Sequence, residues 1–241
     1  MSQEVSKSQL NQALFALDQS LEAGNRMLEN SAHRDAEWFD TPLKRLQWWL
    51  DLEPQWRKAF AIGVFLSKAE EFKPSDEQLQ FLFQLSKVLL TGNGSFERRN
   101  NPPRIPFQLT NLSGLKHLTN ITHIEVDYNY HIKDLSPLAN LRKLETLWCD
   151  NNQISDLSPL AGMQALSSLC IWNNKVEDLS PLIGLPALFD LTIGLYRQGN
   201  PIKDYSPLLK IPYLMVVYLE HGAATPEVLA QVRGKQFDLR Y

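Results

Sequence analysis

Little in this chain announces a chemistry. It has two cysteines, Cys149 and Cys170, in 241 residues, which is too few for a disulfide framework. No stretch approaches the roughly 20 consecutive apolar residues that span a bilayer. The opening MSQEVSKSQL lacks a basic segment followed by an apolar one, so it does not read as a secretion signal. A glycine-rich phosphate loop, a Cys-x-x-Cys pair and a nucleophile elbow are all missing. Charge of either sign is not in excess, with 24 Lys and Arg against 27 Asp and Glu, so the basic balance of a nucleic-acid binder is absent. These absences lead us to expect a soluble, cytoplasmic monomer without a cofactor, whose partner is neither nucleic acid nor membrane.

What the chain does have is one phrase written four times: Asp134-Leu-Ser-Pro-Leu138, Asp156-Leu-Ser-Pro-Leu160, Asp178-Leu-Ser-Pro-Leu182 and Asp204-Tyr-Ser-Pro-Leu208. The first two steps are 22 residues and the third is 26. A fixed period in the twenties marks a solenoid, because one such coil cannot bury its apolar side alone. Aligned on the phrase, a coil reads Leu138, Leu141, Leu144, Leu147, Cys149, Asn152, Ile154, and the next reads Leu160, Met163, Leu166, Leu169, Ile171, Asn174, Val176. The third carries a four-residue insertion around 194–199, and an earlier coil runs through Leu115, Ile124, Val126 and Asn129. Apolar residues three apart suit a tight 3₁₀ arc, and the L-x-L step suits a short strand. The pattern predicts parallel strands centred on Glu125, Trp148, Cys170, Thr192 and Tyr218. Ser-Pro is expected to cap and start the convex arc, with Asp adding a bond. Asn129, Asn152, Asn174 and Asn200 are expected to form an interior ladder that satisfies turn backbone.

The repeat resembles the leucine-rich-repeat family, and within it the 22-residue subclass of the internalins, which carry the wording of Ile154-Ser-Asp-Leu-Ser-Pro-Leu-Ala161. The resemblance covers about residues 109–221. It implies an α/β fold: a right-handed leucine-rich-repeat solenoid with a parallel concave β-sheet and a 3₁₀ or irregular convex side. It also implies that the concave sheet binds other proteins.

Residues 1–87 read as an α-helical N-terminal cap, 88–222 as the solenoid and 223–241 as a C-terminal cap. Leu10, Leu14, Leu17 and Leu21 keep helical spacing. Thr41-Pro42, Pro54 and the capping box Ser75-Asp-Glu-Gln78 open three further helices, the second reaching Phe65 and the third Leu85. Residues 88–90 read as a first strand. Trp38, Trp48, Trp49 and Trp56 read as cap core. Gly92–Pro106, with Arg98, Arg99 and Arg104, reads as a solvated connector. Thr225-Pro226 opens a short helix, and 236–241 a last strand.

Residues between the ladder positions are expected on the concave face. These are His123, Glu125 and Asp127, then Trp148 and Asp150, then Cys170 and Trp172, then Asp190, then Tyr218 and Glu220. The windows 122–128, 145–151, 167–173, 189–195 and 215–221 hold six acids and no Lys or Arg. Exposed Trp148, Trp172 and Tyr218 ringed by acids make an interface for a basic protein surface. This points to a non-enzymatic module, one form of which is an inhibitor or immunity-type protein. One alternative is a metal-binding or hydrolytic corner of His123, Asp127 and Asp150; another is a self-associating scaffold. Cys149 is expected inside and Cys170 outside, so the two should not pair.

Overall fold

The computed structural model describes residues 41–69, 71–93, 105–195, 198–233 and 237–240. The leucine run from Leu10, Trp38 and the arginines of the connector lie outside these residues. The chain divides into two compact units, Met1–Arg45 and Leu46–Tyr241. Of the first unit, Thr41–Arg45 is described: it opens helix α1 (Pro42–Asp51), where Thr41 Oγ1 accepts a bond from the Lys44 N–H at 3.3 Å.

The second unit continues with α2 (Pro54–Gly63) and α3 (Asp76–Gln84). Proline at the first helical position of α2 gives up no backbone bond there. That helix ends before Phe65, which instead stacks on Phe72 with ring centroids 5.1 Å apart. The capping box opens α3 in both directions: Ser75 Oγ accepts from Gln78 N at 3.2 Å, and Gln78 Oε1 accepts from Ser75 N at 2.9 Å. Trp48, Trp49 and Trp56 are buried as expected.

Seven parallel strands follow among the described residues, each paired with its sequence neighbours in one sheet. They are β1 (Lys87–Leu89), β2 (His123–Glu125), β3 (Thr146–Trp148), β4 (Ser168–Cys170), β5 (Asp190–Thr192), β6 (Val216–Tyr218) and β7 (Asp238–Arg240). The centres fall on the inward residues Ile124, Leu147, Leu169, Leu191 and Val217, one position before those expected. The first strand likewise begins one residue early. Among the described residues, four of the five 3₁₀ turns open on the Ser-Pro phrase: Ser136–Leu138, Ser158–Leu160, Ser180–Leu182 and Ser206–Lys210.

The serine is not the cap it was expected to be. Asp134 Oδ1 accepts from the Ser136 N–H and its Oδ2 from the Ser136 hydroxyl, both at 2.7 Å, and Asp156 and Asp178 repeat the pair. Asp has two acceptor oxygens that can close an Asx turn, whereas the serine hydroxyl is consumed by the aspartate.

The asparagine ladder is present. Asn152 donates to Val126 O at 3.0 Å and Cys149 O at 3.1 Å, and accepts from Ile132 N at 3.3 Å. Asn129, Asn174 and Asn200 repeat this link between coils. Each satisfies backbone groups that a turn would otherwise bury unpaired.

Helix α2 is fastened to the first coil by Trp56, whose Nε1 donates to Asn111 Oδ1 at 3.0 Å, and by Glu53, which accepts from Asn111 and from Ser113 Oγ at 3.1 Å. A side chain on Gly114 would meet the Trp56 ring at 2.2 Å, so only glycine permits this approach. At the far end, α4 (Pro226–Gln231) docks through Gln231 Oε1, which accepts from Tyr205 N at 2.7 Å.

Candidate functional site

Register places the outward side chains in rows across the sheet. One row runs Lys87, His123, Thr146, Ser168, Asp190, Val216 and Asp238; a second runs Leu89, Glu125, Trp148, Cys170, Thr192, Tyr218 and Arg240. Beyond the strand ends lies a third group that includes Asp127, Asp150 and Trp172.

Trp148 is 36% exposed, and its ring lies 5.9 Å from that of His123. His123 Nε2 is 3.3 Å from Glu125 Oε1. Glu125 is buried, and Asp190, Tyr218, Glu220 and Cys170 are half-buried. Burial raises the Asp190 carboxyl above the usual range, opposed by the charge of Arg240.

The third group corrects the expected exposed surface. Asp127 is 1% exposed, Asp150 5% and Trp172 5%. The strands are only three residues long, so these side chains fall where the backbone has already turned. Asn151 and Asn173 hold φ of 53°, and Tyr128 and Tyr130 hold 55° and 61°. The turns fold over the third row, and Tyr128 packs edge-on to Trp172 at 6.3 Å. Asp127 Oδ1 accepts from Thr91 Oγ1 at 2.7 Å. Asp150 Oδ2 accepts from Asn151 Nδ2 at 2.7 Å, and the Cys170 thiol lies 3.4 Å from Asp150 Oδ1. Burial first, then the Asp127 charge, pushes the Asp150 carboxyl up to about 7. Burial first, then the Asp150 charge, raises the Cys170 thiol.

His123, Asp127 and Asp150 therefore do not assemble: His123 turns to Glu125 while the two aspartates are held beneath the turns. Among the described residues, no group of three His, Cys, Asp or Glu is placed to hold a metal ion. Cys149 is buried, Cys170 is half-buried, and both are free thiols.

Sequence reasoning missed both margins of the face. Lys87 and Arg240 put a cation at each end of the sheet; Arg240 donates to the Tyr218 hydroxyl and, at 2.7 Å, to Asp238. Phe189 and Met215, 47% and 59% exposed, stand just before β5 and β6, and Tyr213 is exposed beside them. The signal was available as a column, since Glu145, Ser167, Phe189 and Met215 share the position before each strand and turn from polar to apolar along the solenoid. A cleft of ≈ 670 Å³ lies away from the sheet, lined by Trp49, Ile62 and Phe72 with Arg57, Lys68 and Lys73. No helix among the described residues is long and apolar enough to cross a membrane.

The family model of leucine-rich repeats in two copies matches residues 119–162 and 142–184. No curated protein matches the chain. Among solved structures, the chain is similar to internalin C2 from Listeria monocytogenes, at 39% identity over 46% of this chain and 47% of that one, with a TM-score of 0.43. A second internalin from that organism is 20% identical over 78% of this chain and 55% of that one, with a TM-score of 0.50. A leucine-rich-repeat protein from Leptospira interrogans is 17% identical over 73% and 42%, with a TM-score of 0.53. The chain thus spans about half the length of these structures. With the repeat, the asparagine ladder and the parallel sheet in place, and residues 119–184 matching the repeat model, the fold is that of a leucine-rich-repeat solenoid.

Proposed function

We propose that the chain is a non-enzymatic recognition module that takes a basic protein surface on the concave face of its sheet. The observation that carries this reading is Trp148, an exposed aromatic in the middle of a seven-stranded sheet with acidic neighbours. Solenoids use such extended curved faces for partners, and large aromatics supply most of the binding energy at interfaces. Phe189 and Met215 extend the apolar contact toward the last coils. Glu145, Asp190 and Glu220 supply the negative charge that remains in contact with solvent, because Asp127 and Asp150 are beneath the turns. An acidic curved face of this kind suits an inhibitor that neutralises a basic enzyme.

The test is capture from a native lysate by the wild-type chain and by a Trp148→Ala/Phe189→Ala/Met215→Ala variant of unchanged melting temperature. The same protein should be lost from the variant and released from the wild type by moderate salt. Equal capture by both would place the binding surface elsewhere, on the convex turns or the helices.

A further inference from the structure

Among the described residues, no cation contacts the Asp150 carboxyl. Among the described residues its side-chain partners are the Asn151 amide at 2.7 Å and the Cys170 thiol at 3.4 Å. Its neighbour across the strands is a second buried acid, Asp127: with Glu125 paired to Trp148, the register puts Asp127 opposite Asp150, about 5 Å away. The groups that face Asp150 are Asp127 and Tyr130 from the chain after β2, Cys149 and Asn151 from its own segment, and Cys170 from β4. None is a base. Two carboxylates at this spacing in a dry site do not both ionise at the pH where isolated acids do.

We propose that this corner is a pH-sensitive latch: a proton held on Asp150 beside the Asp127 carboxylate keeps the turns after β2, β3 and β4 closed, and its loss loosens them and uncovers Trp172. The Cys170 thiol donates to Asp150 Oδ1 at 3.4 Å and Asn151 Nδ2 to Oδ2 at 2.7 Å, and a proton on this carboxyl spares the corner the like-charge repulsion with Asp127. Asn151 in turn accepts from Asn173 Nδ2 at 2.6 Å, so one hydrogen-bonded line joins the coils of β3 and β4. The backbone bonds Tyr128 N to Asp150 O and Asn151 N to Trp172 O, both 3.1 Å, close the same turns. The left-handed conformations of Tyr128, Tyr130 and Asn151 make these turns the strained part of the sheet margin. A group whose folded pKa lies above its unfolded value lends stability below the unfolded value and loses it as pH rises through the folded one. The window here runs from the ordinary carboxyl range to about 7.

The carboxyl carbon of Asp150, followed by NMR in the unmodified full chain, should titrate near neutrality, apart from the other aspartates. Hydrogen exchange at Tyr128 and Asn151, corrected for its intrinsic pH dependence, should accelerate over the same interval. Asp150→Asn should remove the fall in melting temperature between pH 5 and about 7 and melt higher than wild type at alkaline pH. Asp127→Asn should move the Asp150 titration down. A His123→Gln/His131→Gln background removes the imidazoles of that coil and should leave the slope in place. If Asp150 titrates with the ordinary carboxylates, or the slope survives Asp150→Asn, the latch is wrong. The wild-type titration decides the matter even if a variant fails to fold. Weaker partner capture above neutral pH is a further consequence that rests on the concave-face reading; the titration and exchange do not, so the two can fail separately.

Discussion

Asn152 shows how much a single side chain does in this fold. Its amide donates to carbonyls of two coils and its oxygen accepts an N–H from one of them, all within a buried turn. Asn152→Ala should cost about 1–3 kcal/mol, because it strands buried backbone groups, and urea unfolding would measure it. Asn152→Asp should be no milder, since the carboxylate cannot donate to Val126 O and Cys149 O. A neutral effect would show that water or backbone rearrangement replaces the ladder. Asn129, Asn152, Asn174 and Asn200 were legible in the sequence because their spacing repeats with the coil. The burial of Asp127 and Asp150 was not, since alternation along a strand says nothing about where a three-residue strand stops.

At the scale of elements, the repeated turn and the helical docking differ in how they are written. Each Asp-x-Ser-Pro turn is a local device whose parts lie within a few residues. The carboxylates of Asp156, Asp178 and Asp204 are lowered by their serine hydrogen bonds. A depressed carboxyl contributes stability that is present above its unfolded pKa and lost as pH falls through the folded one. Wild type should therefore lose turn stability below about pH 4. A triple Asp156→Asn/Asp178→Asn/Asp204→Asn variant should melt lower at neutral pH and show a flatter acid limb in calorimetry. An unchanged acid limb would mean that other carboxylates dominate. The docking of α2, by contrast, joins residues more than fifty apart, as in Trp56 to Asn111. Trp56→Ala should destabilise by about 3–5 kcal/mol, measured by chemical denaturation. A loss under ~1 kcal/mol would show that the helix contributes little to the first coil.

For the whole molecule, charge and shape act at a distance. If the concave face takes a basic partner, association should slow steeply as salt rises toward physiological strength, where screening acts over about 8 Å. Charge reversal at Glu145 and Asp190 should slow association, whereas Trp148→Ala should mainly speed dissociation. Stopped-flow or surface-binding kinetics separates the two. Equal effects on both rates from either class of variant would count against electrostatic steering to this face. Lys87 and Arg240 at the sheet ends should have the opposite sign: their removal should speed association.

The period, the ladder and the identity of the inward residues were all determined by the sequence alone, because each repeats with the coil and needs only neighbours a fixed distance away. Helix starts at Pro42, Pro54 and Asp76 were equally local, resting on proline and a capping box. Tertiary structure decided the rest. It set where each short strand ends, and so buried Trp172 under Tyr128 and left Trp148 in solvent. It brought Lys87 and Arg240 to the ends of an otherwise acidic sheet, and it placed two acids side by side with no base facing Asp150 among the described residues. Those outcomes depend on which turn folds over which side chain, and packing between coils settles that where spacing along the chain cannot.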